Sequence, residues 1–90
     1  MLVALMAYDK DGALEVRKAN RDAHVAYLKS TGVVQQAGPF LDAAGEMCGS
    51  LVILDVADME AAQKWANDDP YAHAGLFRDV TLMPWNRVIG

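Results

Sequence analysis

A histidine held by a carboxylate can move protons near neutral pH, because the acid binds one ring nitrogen and leaves the other to act as base. The sequence offers two histidines, His24 and His73, and two adjacent carboxylates, Asp68 and Asp69, directly before Pro70 in "NDDPYAHAGLF" (67–77). Proline disfavours the α conformation in the residue before it, so Asp69 leaves the helical track and can aim its carboxylate away from the helix axis. The expected pair is therefore His24 with Asp69, while Asp68 stays in solvent. His24 and His73 have no metal-ligand spacing with one another or with a third donor, so no metal is expected. No Gly-rich loop joins a strand to a helix, and no cofactor is expected either. His73, in the loop after Pro70, reads as a solvated or pocket-rim residue.

His24 must be carried on an element that turns it inward. Residues 13–30 lack Pro and Gly, are rich in Ala, Leu, Lys and Arg, and meet Gly32, which reads as a helix C-terminal residue. On a helical wheel Lys18, Asp22 and Lys29 fall within about 40° of one another and define the solvent stripe. His24 lies nearly opposite. Ala13, Val16, Ala19, Ala23, Ala26 and Tyr27 are expected on one inner flank, with Leu14, Val25 and Leu28 on the other. An inward histidine can be a core residue bonded to a backbone carbonyl. The neighbouring Arg17, Asn20 and Arg21 point instead to a pocket, since two guanidinium groups are costly in a dry core.

The remaining elements follow from pattern. "LVALMAY" (2–8) is a strand and "DKDG" (9–12) a turn; "VVQQAGPF" (33–40) is a strand closed by Gly-Pro, "LDAAGE" a loop, and "MCGSLVILDV" (47–56) a further strand. Asp58 can cap a second helix with Met59, Ala61, Ala62, Trp65 and Ala66 on its apolar side, Trp65 in the core. "LFRDVTLMPW" (76–85) alternates as a strand with one covered face. The order βαββαβ is that of the ferredoxin-like α+β fold, an antiparallel sheet with both helices on one face, in a single domain over 1–90. The first and third strands are apolar at nearly every position, so the bare face is expected to pack on a second copy as a homodimer.

Composition excludes several partners. The net charge is −4 and the eight Lys and Arg form no basic run, which argues against nucleic acid. "MLVALMAY" is too short to span a bilayer and lacks signal-peptide flanks, so no membrane is expected and the cytoplasm is the default address. The single cysteine, Cys48, cannot form an internal disulfide and reads as a small buried hydrophobe on a strand.

Arg17 and His24 in "RKANRDAHVAYL", "AGP" at 37–39, "GS" at 49–50, "AAQKWANDDPY" and the stretch from "AGLF" to Pro84 together resemble the YCII (YciI-like) proteins over nearly the whole chain. The resemblance implies a dimeric α+β barrel with a His and Asp active site, here His24 and Asp69. Ser50 matches the serine of the "GS" element. Arg17, Gly38 and Pro39 match as well, the glycine and proline with a structural part in the turn. Candidate substrate contacts are Ser50, Arg17, Gly49, Pro39, Tyr71 and His73. Tyr27, Tyr71, Phe77 and Trp85 could wall a pocket for a flat ring, or pack elsewhere. The family includes a dehydrochlorinase of a chlorinated hydroxyhydroquinone, and the expectation is a cofactor-independent lyase acting on a small hydroxylated aromatic or quinoid compound. A muconolactone-like isomerase and a non-enzymatic metabolite-binding domain are the alternatives.

Overall fold

The computed structural model describes residues 1–90. The chain forms β1 (Leu2–Asp9), α1 (Leu14–Thr31), β2 (Val34–Leu41), β3 (Met47–Asp55), α2 (Met59–Asp68), the single-turn α3 (Pro70–His73) and β4 (Phe77–Pro84). The four strands make one sheet in the order β2-β3-β1-β4, every neighbouring pair antiparallel. This is the ferredoxin-like arrangement. No helix is long and apolar enough to cross a membrane.

Local chemistry sets the helix ends. Gly32 closes α1 in the left-handed region at φ 70°, where a side chain would be strained. The Asp58 carboxylate accepts from Ala61 N at 2.8 Å and caps α2. The α3 turn has no counterpart in the sequence reading. Four residues are too few to show a helical period, and Pro70 signals a stop to α2 as readily as the first residue of a new turn.

Strand β2 agrees with the expected strand over 33–40 to one residue at each end, with Gly38-Pro39 lying within it and Leu41 closing it. It lies at the sheet edge, where a proline costs no ladder hydrogen bond if its missing N–H would face solvent.

The pairings Val3 with Leu54, Leu5 with Val52 and Ala7 with Ser50 stack these residues on the helix-covered face. Val3, Leu5, Ala7, Val52 and Leu54 pack against Ala62, Trp65 and Ala66 of α2 in one apolar core. Trp65 also donates its indole N–H to Thr31 Oγ1 at 3.0 Å, so its one polar atom is satisfied. Fully burying a side chain such as Leu54 contributes about 1.5–3 kcal/mol.

The expected inner flank of α1 is not all inside: Val16, Ala19, Ala23 and Ala26 are exposed. The buried stripe of this helix is narrow, with Arg17 and His24, two turns apart, its buried residues. Short alanine side chains to one side of that stripe do not reach the sheet. Cys48 is half-buried on β3.

Candidate active site

Arg17 is 2 % exposed, a position that charge alone would forbid. It is tolerated because β1 ends in Asp9, which points to the helix-covered side and meets the guanidinium in a fork. Arg17 Nε donates to Asp9 Oδ2 at 2.7 Å and Nη2 to Asp9 Oδ1 at 2.9 Å; Nη2 also donates to Ser50 Oγ at 2.9 Å. Burial works to lower the Arg17 pKa, but the hydrogen bonds and charge of Asp9 outweigh it and hold the value above the ordinary one. The sequence reading placed Asp9 in a turn. An inward arginine with no acid three or four residues away on its own helix was the signal that a carboxylate had to come from another element.

Just under one turn beyond Arg21, His24 is 6 % exposed, and its Nδ1 lies 2.8 Å from Asp69 Oδ1. Asp69 is extended (φ −62°, ψ 130°), ending α2 and capping α3, and the same Oδ1 accepts from Tyr71 N at 2.9 Å. An ionised carboxylate only accepts, so Nδ1 is the donor and carries the ring proton. Nε2 is left as the lone-pair nitrogen. It has no partner in the protein, and no buried side-chain nitrogen or oxygen is unpaired, so Nε2 reaches open space. Asp68 turns outward to Lys64 Nζ at 2.8 Å on the exposed side of α2.

Tyr71 holds the two basic groups apart. Its ring stacks on His24 with centroids 3.8 Å apart and planes within 12°, and the Arg17 Cζ stands 4.7 Å from the same centroid. One ring face has room for only one of them, so the phenol is inserted between residues two turns apart on α1. Phe77 abuts its edge at 87°.

These groups border a cavity of about 130 Å³ between α1 and the β2–β3 hairpin. Arg17, Arg21, His24, Val25 and Leu28 form the α1 side; Ala37, Gly38, Pro39, Met47, Ser50 and Val52 form the sheet side, and Tyr71 closes one end. The hollow exists because β2 presents Ala37, Gly38 and Pro39, too short to fill the gap beneath α1, and these residues are exposed where it opens. An engineered cavity of about 150 Å³ takes up benzene, so this one has the scale of a single six-membered ring. A base at Nε2, a guanidinium and a hydroxyl around such a space suit proton transfer on a small oxygenated ring.

The YCII-related domain matches residues 1–86. The chain belongs to the YCII family. Protein YciI of Escherichia coli O6:H1 (strain CFT073) is 38% identical, covering 98% of this chain and 99% of the relative. Among solved structures, the 5-chloro-2-hydroxyhydroquinone dehydrochlorinase TftG of Burkholderia phenoliruptrix AC1100, in complex with 2,5-dihydroxybenzoquinone, superposes with a TM-score of 0.89 at 32% identity, covering 96% of this chain and 94% of that one. An antibiotic biosynthesis monooxygenase shares the fold alone, at TM-score 0.61 and 16% identity, with 99% and 100% covered.

Within this YCII chain, Arg17, His24, Ser50, Pro39 and Tyr71 converge on the cavity, and Asp69 stands behind the imidazole. Two candidates lie elsewhere. Gly49 faces the other side of the sheet, paired between Tyr8 and Phe40, whose rings stack at 5.7 Å. A Cβ there would collide with the Ala7 carbonyl and lie 2.9 Å from Phe40 Cδ2, so this glycine serves sheet packing. Alternation puts Gly49 and Ser50 on opposite faces, and only the serine can reach the hollow. His73 is exposed at the last residue of α3 and does not line the cavity.

Proposed function

We propose that this chain is a lyase that removes HCl from a small, chlorinated, multiply hydroxylated ring, with His24 as the proton shuttle and Asp69 as the group that orients it. The observation that carries the reading is the 2.8 Å His24–Asp69 contact with Nε2 left open beside a ring-sized hollow. The likeness to TftG supports the choice of reaction.

The chemistry needs only proton movement. One ring hydroxyl becomes a carbonyl as its proton is transferred to the carbon bearing chlorine. A second hydroxyl, para to the first, then loses its proton; its electrons form a second carbonyl, the ring double bond shifts, and the C–Cl bond breaks to release chloride. The products are a hydroxyquinone and HCl. Loss of the C–Cl bond takes up the two electrons that quinone formation gives up, so no redox cofactor is required. His24 Nε2 accepts and returns the protons, Asp69 steadies the imidazolium, and the Arg17 guanidinium and Ser50 hydroxyl receive the developing oxyanion.

Chloride release from 5-chloro-2-hydroxyhydroquinone, followed with an ion electrode, tests the proposal. His24→Asn should lose about 10²–10⁴ in rate. Asp69→Asn keeps an acceptor for the α3 cap but reverses which ring nitrogen is protonated, and should lose activity while the fold survives. Unchanged turnover in His24→Asn would end the proposal, and consumption of substrate without chloride would point to isomerisation.

The active form is proposed to be a homodimer joined through the outer sheet face. Tyr8, Leu51 and Met83 are exposed there beside half-buried Met6 and Phe40, an apolar surface neither helix covers. Sedimentation equilibrium should return twice the 9.8 kDa chain mass; a monomer at micromolar concentration contradicts it.

A further inference from the structure

The formal charges around the cavity do not balance. Asp9 neutralises Arg17, whose guanidinium also interacts with the Tyr71 hydroxyl, yet Arg17 Nη1 is not sealed, so one donor edge faces open space. Arg21, one turn along α1, lines the same space and is in no ion pair. No Asp or Glu borders the hollow, and the β2–β3 wall contributes Ser50 as its polar side chain and no charge. Asp69 lies behind the imidazole, not in the lining.

Tyr71 already registers this field. Burial raises the pKa of its hydroxyl and prevails, while the positive charges of Arg17 and Arg21 and a hydrogen bond from Arg17 act against it. A hydroxyl on a ligand in the same space meets the same two guanidinium groups.

We infer that the cavity takes its ligand as a monoanion, a single six-membered ring with one ionised oxygen, and that Arg21 sets this preference. The inference rests on the reading above for the ring and adds the charge state in which it binds. Under it the first hydroxyl proton is lost to solvent on binding, and His24 carries the proton of the second hydroxyl to the carbon bearing chlorine, after which chloride leaves with the quinone formed.

4-Nitrophenol is a suitable probe, being one flat ring whose anion and acid differ in colour. Titrating it spectrophotometrically with the full chain should show the anion bound at least about tenfold more tightly than the acid, so that its apparent pKa falls on binding. Arg21→Gln should remove most of that preference and Arg21→Glu all of it, while Arg21→Lys retains it. Arg21 is exposed, so these variants are expected to fold, and circular dichroism checks that they do. Equal affinity for acid and anion in the unmodified chain, an undiminished preference in Arg21→Glu, or no binding of either form would overturn the inference. The probe has no chlorine, so its result stands apart from chloride release: either reading can fail while the other holds.

Discussion

The two halves of the helix-covered sheet face are built from different materials. Under α2, Val3, Leu54, Ala62, Trp65 and Ala66 make a hydrocarbon core. Under α1, a few ångströms along the same strands, Asp9, Arg17, His24, Ser50 and Asp69 are all buried, and a cavity replaces the missing side chains of β2. The apolar half can be filled by any well-shaped hydrocarbon, whereas each polar group in the other half has a specific partner. A protein selected for stability alone would have no reason to keep the second. Buried ion pairs add little net stability over an apolar replacement of the same shape, so the polar half is better explained by what it holds than by what it stabilises.

The sharpest way to break this contrast is to unpair Asp9. Arg17→Met leaves a buried carboxylate without a counter-charge and should cost about 3–5 kcal/mol in urea unfolding. Replacing both partners, Arg17→Met with Asp9→Leu, should recover most of that stability without recovering ligand binding. If the single and double variants are equally unstable, the pair is not the isolated ionic unit described here.

In the dry half, Leu54→Ala should cost about 2–5 kcal/mol, since Leu54 is fully buried between β1 and β2. Ligand affinity should hardly change. A large loss of 4-nitrophenol binding in this variant, in protein still folded, would mean that the halves are coupled.

The smallest effect concerns the border between them. Tyr27 donates its hydroxyl to the Trp65 carbonyl at 2.8 Å, and burial, with the nearby charges of Asp68 and Asp69, pushes its pKa up to about 12. The unfolded chain ionises this group first, near its ordinary value of 10.0. Its contribution is therefore complete below that pH and is lost as pH rises through the folded value. Tyr27→Phe should give a shallower decline of the urea midpoint between pH 9 and 12. Some decline remains, because Tyr71 is shifted in the same direction.

Much of this was legible in the sequence, and the gaps have physical causes. The element order, the Asp58 cap and the Gly32 terminus follow from local rules that need no partner. The inward histidine followed from helical period, and the turn of Asp69 from the proline after it. Asp9 was missed because an acid at a strand end looks like a turn residue until the arginine that needs it is placed in space. The exposed flank of α1 was misjudged because period alone gives a direction, not how far a helix sits from its sheet. Gly49 was assigned to the site with its neighbour Ser50, although a strand turns consecutive residues to opposite faces.

The proton on His24 is where the account is most exposed. Long-range ¹H–¹⁵N NMR of histidine-labelled protein, at a pH where the ring is neutral, reads the tautomer directly and does not depend on knowing the substrate. The account predicts hydrogen on Nδ1 and a lone pair on Nε2, with the Nε2 signal moving when a ring ligand is added and the tautomer lost in Asp69→Asn. Hydrogen on Nε2 in the unmodified protein, or an Nε2 signal indifferent to any ring ligand that binds, would contradict it.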